Sequence, residues 1–183
     1  PMISIDAKNI EYAQQMLGGA PKEIKRAIKS SINKSTKQIK TKVARLVRER
    51  YVISSAVVKK KVEIRKATLS RLTGVVMSTG RPATLTRFDV RKSKKGPIRV
   101  RVLRSSNPKP IKGLFLQATR AGNGPFPFKR LGKSRYPLTV LHGPSIPSMM
   151  GNENTINRLT PFAENVLNQH FLREVNNRFS KMK

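Results

Sequence analysis

The sequence predicts an α+β fold: a mainly antiparallel β-sheet packed with a long basic N-terminal helix and a long amphipathic C-terminal helix. Three observations predict it. Apolar residues between Pro21 and Arg50 recur at the helical period. Residues 62–141 switch to short alternating segments broken by Gly and Pro. The helical period returns from about Asn154. Helices, then strands, then a helix is the order expected of α+β. A length of 183 residues suits one domain, and a domain of that size buries roughly 70% of its unfolded surface, enough for a real core. Its parts are an N-terminal arm or short helix over 1–20, a helical segment over 21–61, a sheet over 62–141 with a basic hairpin and Gly/Pro loops, and a loop plus helix over 142–183.

The elements follow in order. Ala7 to Leu17 is short and amphipathic and stops at Gly18-Gly19. Pro21 suits the first turn of the next helix, where a missing N–H would be unpaired anyway. At the helical repeat, Ile24, Ile28, Ile32, Ser35, Ile39, Val43 and Leu46 fall in one stripe about 100° wide. Lys22, Arg26, Lys29, Lys34, Lys37, Lys40, Arg45 and Arg48 fall on the other side; Lys25, Lys42 and Arg50 break the pattern and snorkel. Ser54 to Lys61 is a short helix capped by Ser54 or Ser55. Val62 to Ile64, Leu72 to Met77 and Thr84 to Val90 are strands. Ile98 to Val102 alternates apolar with Arg99 and Arg101, a half-exposed strand with a basic face. Arg91-Lys92-Ser93-Lys94-Lys95-Gly96-Pro97 is a hairpin tip. Ile111 to Thr119 is a central strand, Arg120 to Lys133 a Gly/Pro-rich excursion, and Arg135 to Leu141 a last strand. Gly143 to Pro147 is neither helix nor central sheet. The final helix is re-capped at Thr160-Pro161 and runs to about Ser180, with Ile156, Leu159, Ala163, Val166, Leu167 and Phe171 on one face.

Charge is the strongest functional signal. Thirty-nine Lys and Arg face nine Asp and Glu, a net charge of +30. Such a fold repels itself, and a polyanion relieves that repulsion while releasing its own condensed counterions. Residues 22–50 and 59–112 together hold 28 basic residues against four acids, whereas the last 33 residues hold five against three. The polyanion-facing surface is therefore expected on the Lys/Arg side of the helix over 21–50 and on the hairpin residues Arg91, Lys92, Lys94, Lys95, Arg99 and Arg101. A charged helix face is often merely solvated. This one is single-signed, without a Glu four residues before most of its cations. Contact would be with backbone phosphate or an acidic protein surface, since no helix-turn-helix, zinc or RNA-recognition pattern is present.

Enzymatic chemistry has little material. The nine acids are scattered, His142 sits in a loop, His170 sits at the edge of a helix face, and there is no Cys. No phosphate-loop, dinucleotide or serine-elbow motif occurs. The expectation is no catalytic residue, no metal site, no cofactor, no small-molecule ligand and no disulfide. No apolar run approaches the roughly 18 residues of a membrane span. No signal peptide is visible, and Pro1 fits initiator-Met removal, so the chain is expected to begin at its natural start. Phe126, Phe128, Tyr136, Pro144, Ile146, Pro147, Met149 and Met150 are apolar residues in or beside segments read as irregular. They either plug the core or form a subunit interface, and the interface is the working expectation.

Arg135-Tyr136-Pro137-Leu138-Thr139-Val140, a Gly/Pro loop with Ile146-Pro147, and a long amphipathic C-terminal helix resemble the phage minor tail protein Z family, the tail-completion proteins of lambda-like phages. Val43-Ala44-Arg45, Val58-Lys59-Lys60-Lys61 and Arg65-Lys66-Ala67-Thr68 are similar to its basic helix and first strand, and Phe115-Leu116-Gln117 to its central strand. The likeness covers about residues 20–180; the stretch 78–110 and the Phe126/Phe128 loop depart from it. The resemblance implies a virion structural protein assembled in the host cytoplasm. It would sit at the head-proximal end of the tail, between the terminator ring and the head-completion or connector proteins. There it would form a ring with itself, six being the family-level number, line the DNA channel and seat the end of the packaged genome. The rival reading, from another class, is a free sequence-nonspecific nucleic-acid-binding protein of RNA-associated or nucleoid type. That protein would bind free DNA or RNA tightly at low salt, whereas a neck protein would bind it weakly and co-purify with particles.

Overall fold

A computed structural model describes residues 7–17, 20–92, 96–118 and 124–182. The elements are α1 (Ala7–Met16), α2 (Pro21–Arg50), α3 (Ser55–Lys61), β1 (Val62–Arg65), β2 (Val75–Ser78), a 3₁₀ turn (Leu85–Arg87), β3 (Asp89–Arg91), β4 (Arg99–Arg101), β5 (Lys109–Pro110), β6 (Leu114–Gln117), β7 (Phe126–Arg130), β8 (Leu138–Val140), α4 (Ile146–Met150) and α5 (Glu153–Met182). Helix accounts for about 50% and strand about 20%, and every three-stranded sheet pairing is antiparallel, so the fold is the α+β mix read from the sequence. The sheet is divided: β1-β2, β3-β4-β5 and β6-β7-β8 are separate.

The contacts gather into two compact units. The first holds residues up to 43, 62–77 and from 152 onward. Its core is where α1, the first part of α2 and α5 meet. Ala13, Leu17, Ala27, Phe171 and Val175 are buried there, with Ile10, Ile24, Ile28 and Phe179 packed around them. The α2 positions closest to this core are small: Ala27, Ser31 and Ser35. Their hydroxyls remain satisfied, since Ser31 donates to Ile28 O at 2.8 Å and Ser35 donates to Ser31 O at 2.7 Å. Such back-bonding lets a short polar side chain sit in a helix interface without an orphan group. Asn33 anchors the segment after β1: its Nδ2 donates to Ala67 O (3.1 Å) and its Oδ1 accepts from Ala67 N (2.8 Å). Gly74 allows β2 to approach α2, since a Cβ there would lie 2.4 Å from the Ile32 Cγ2 methyl.

The second unit holds residues 44–61 and 78–151. Ala44, Leu46 and Val47 on the last turns of α2 are buried with Tyr51, Ile53 and Val58. Val52 N donates to Val102 O and Arg104 N to Arg50 O, both at 2.8 Å. β3 pairs with β4 through Asp89↔Arg101, Val90↔Val100 and Arg91↔Arg99. β7 is the middle strand of the third sheet, with Phe115 opposite Phe128 and Phe128 opposite Val140.

Five local expectations need correction. The excursion over 120–133 contains β7, and β6, expected to be central, is an edge strand. The Gly/Pro signal misled because Pro127 forgoes its own N–H yet still accepts from Leu141 N at 2.8 Å, while its ring is buried. Ile146–Met150 is helical: Ser145 caps it by accepting from Ser148 N at 3.2 Å, and Pro147 lies in the first turn, where proline is tolerated. α5 passes through Pro161 without the expected re-cap; it forgoes one intrahelical bond, and Thr160 Oγ1 donates to Ile156 O at 3.1 Å. Thr84 to Val90 is a 3₁₀ turn followed by the start of β3 rather than one strand.

Phe171 is fully buried among Ala13, Leu17 and Ala27, so Phe171→Ala is expected to destabilise the chain by about 3–5 kcal/mol. Leu131→Ala, at a residue 67% exposed, should stay within about 0.5 kcal/mol of the parent. Urea midpoints measure both, and similar values for the two variants would contradict this packing.

Candidate polyanion-facing surface

The α2 cations lie where an amphipathic helix puts them. Lys22, Arg26, Lys34, Lys37, Arg45 and Arg48 are exposed, and Lys29 and Lys40 are half-buried. Lys22 to Lys40 belong to the first unit; Arg45 and Arg48 belong to the second. On the β3–β4 pair, Arg91, Lys92 and Arg99 are exposed and Arg101 is half-buried, while Lys94 and Lys95 lie outside the described residues. The structure brings Arg26, Lys29, Lys34 and Lys37 together at one cleft of about 450 Å³. Two cations absent from the sequence expectation join them, Lys66 from the segment after β1 and Arg178 from α5. Neither carries a local signal: Lys66 is one of many basic residues in the middle, and Arg178 lies in the last 33 residues, where basic residues number only five against three acids.

Few carboxylates offset this charge. Glu23 takes Arg26 on Oε1 and Arg178 on Oε2, the latter at 2.8 Å. Glu174 takes Lys34 on Oε1, with Arg178 at 3.8 Å from Oε2. In the second unit Asp89 holds Arg91 at 3.1 Å and Arg101 at 3.3 Å, and Glu49 holds Arg45 at 3.3 Å. Arg26, Lys34, Arg45, Arg91 and Arg101 thus each have an internal counter-charge. Lys22, Lys29, Lys37 and Lys40 have no ion-pair partner among the described residues.

The titrations follow from this geometry. The Arg178 hydrogen bond, helped by Arg26, holds the Glu23 carboxyl below its usual range against some desolvation. Arg91 and then Arg101 do the same for Asp89. Burial pushes Glu174 upward, but hydrogen bonds from Lys34 and Ser30 and the charges of Lys34 and Arg178 outweigh it, and its pKa is lowered. Burial, then Arg173 and Lys34, lowers His170 despite the attraction of Glu174.

The apolar residues expected at a subunit interface separate into two groups. Met149 and Ile146 are buried within their own unit. α4 turns both side chains inward, so neither is exposed in a single copy of the chain. Tyr136 is 65% exposed, and Leu131, which the sequence reading passed over, is similarly exposed. Phe126, Phe128, Pro144, Pro147 and Met150 are half-buried. Phe128 stacks at a tilt on Phe115 (6.1 Å between centroids) and lies 6.4 Å from Phe126. Among the described residues no cluster of His, Asp and Glu could hold a metal ion, and no helix is long and apolar enough to cross a membrane.

A carboxyl whose pKa is lowered on folding stabilises above its unfolded value and loses that contribution as pH falls through the folded one. Stability is therefore expected to fall below about pH 4.5, the ordinary value for Glu174, and Glu174→Gln should flatten this acid limb. At neutral pH the substitution should cost about 1–3 kcal/mol, because charged hydrogen bonds at a buried carboxylate are lost. Urea midpoints from pH 3 to 7 measure both; an acid limb of unchanged slope in the variant would contradict the assignment.

The comparisons with known proteins agree with the sequence resemblance. The family model for prophage minor tail protein Z matches residues 7–181, nearly the whole chain. No curated protein and no solved structure matches it. The chain belongs to the prophage minor tail protein Z family and is a phage minor tail protein.

Proposed function

We propose that this minor tail protein completes the tail at its head-proximal end, joining the tail terminator to the head connector. Its cationic α2 face would meet packaged DNA through backbone phosphates, or an acidic neighbouring subunit. The chain would act as one non-enzymatic structural domain, repeated in a ring of itself, six copies being the family-level number. Exposed Tyr136 and the half-buried Phe126, Phe128, Pro144, Pro147 and Met150 are the surface available for that association, in the neck of the virion.

The observation that carries this reading is the row of α2 lysines without carboxylate partners in a phage tail protein of net charge +30. A purely solvated face would be expected to alternate charge sign, because pairs of opposite sign four residues apart stabilise a helix at no functional cost. Here the acids of α2 sit at Glu23 and Glu49, near its ends; Lys34 is paired with Glu174 of α5, and Lys29, Lys37 and Lys40 are left to an outside partner. Counterion release makes phosphate a favourable partner for such a row.

Charge reversal at Lys29, Lys37 and Lys40 tests the reading. The triple variant should fold with an unchanged melting profile yet fail to complement a phage lacking the wild-type protein, leaving tails unjoined to heads or DNA ejection impaired. Normal assembly and ejection would show that the face is merely solvated.

A further inference from the structure

The cleft in the first unit has features that a diffuse basic surface lacks. Six cations line it from three segments: Arg26, Lys29, Lys34 and Lys37 on α2, Lys66 after β1, and Arg178 on α5. Against them stand two carboxylates, Glu23 and Glu174, so these eight groups carry a net charge of +4. Three of the four carboxylate oxygens lie within 3 Å of an Arg or Lys of the wall, and the fourth faces Arg178 at 3.8 Å. Lys29, Lys37 and Lys66 are left without an ion pair among the described residues. Arg178 Nε is buried without a hydrogen-bond partner, a further donor in excess of acceptors.

The amide of the lining is also engaged: Asn33 is committed to Ala67 through both of its ends. This distinguishes two kinds of polyanion. An acidic peptide brings a backbone N–H at nearly every residue, and each needs an acceptor when it leaves water. The cleft offers donors and point charges and almost no free acceptor. A nucleic-acid strand presents acceptor oxygens alone along its phosphates, which suits lysine ammonium groups. Lys37 lies eleven positions after Arg26 on α2, about 16 Å of helix, long enough for several successive phosphates.

We infer that this cleft is a phosphate-backbone site that seats a short run of one nucleic-acid strand, with Lys29, Lys37 and Lys66 neutralising its charge and Arg178 closing the wall. The inference deepens the proposed polyanion-facing role of α2 and rests on it. It adds two residues from outside α2 and confines the contact to one concave place.

The test uses the purified full chain, a fluorescent 12-nucleotide thymidylate strand, a 12-base-pair duplex and polyglutamate, read by anisotropy between 50 and 200 mM salt. Binding is expected to be weak, with dissociation constants of about 10⁻⁴–10⁻⁶ M near physiological salt. Lys37→Glu/Lys66→Glu, both at exposed positions, should weaken strand binding about tenfold or more. It should also reduce the slope of log affinity against log salt by about 1.4, for two phosphate contacts to a single strand. Lys59→Glu/Lys60→Glu carries the same charge change on α3, outside the cleft, and should lower affinity less than threefold. Tighter binding of the strand than of the duplex would place a single strand in the cleft; equal binding would place one strand of a duplex there. Equal losses in the two double variants would overturn the inference in favour of diffuse attraction. Polyglutamate competing as well per charge as the strand would overturn it in favour of an acidic protein. Failure of the neck reading would appear elsewhere, as absence of the chain from purified particles, with the cleft affinities unaffected.

Discussion

Where Glu23 and Glu174 sit is the constraint that shapes the charge of the first unit. They join α2 to α5 through Lys34 and Arg178, in a chain with only nine acids. Both carboxylates lie against the helix–helix contact rather than out on the basic face. Placed there they offset Arg26, Lys34 and Arg178, and they leave Lys29 and Lys37 uncompensated. A neutral surface would have required those acids to be spread along α2 as helix pairs.

Apolar burial, not ion pairing, must carry most of the stability. Exposed pairs such as Arg45–Glu49 contribute about 0–1 kcal/mol. The core around Phe171, Leu17 and Val175 is what keeps α1, α2 and α5 together. Its geometry depends on small α2 residues, because Ala27, Ser31 and Ser35 let α5 come close enough for Ser35 Oγ to reach Val166 O at 3.5 Å. The second unit relies instead on short strands and tight approaches. Gly143 is one of these: a Cβ there would fall 2.6 Å from the Phe88 ring. A fold secured in this way can carry a one-signed surface, since the repulsion acts on groups that contribute little to cohesion.

The long elements were legible in the sequence because their signals accumulate over many turns. The α2 stripe from Ile24 to Leu46 and the face from Ile156 to Phe171 needed no tertiary information. What was lost lay where a single residue type has two meanings. Pro127 reads as a breaker, yet it sits in a middle strand that needs its carbonyl and not its missing N–H. Ser145-Ile146-Pro147 reads as a loop, yet Ser145 is a cap and Pro147 a first-turn residue. The apolar character of Ile146 and Met149 was visible, but whether they face the core or a partner is decided by α4, which that misreading concealed. The site was half legible: α2 supplied its cations by periodicity, whereas Lys66 and Arg178 reach it only through the tertiary fold, 29 and 141 residues after Lys37 in sequence.

The central claim is that negative matter from outside the chain compensates its +30. High-resolution imaging of the assembled virion around α2 addresses it most directly. The account predicts density for a phosphate backbone, or for the carboxylates of a neighbouring subunit, within hydrogen-bonding reach of Lys29, Lys37 and Lys66. Those three side chains extending into open solvent on every copy would contradict it.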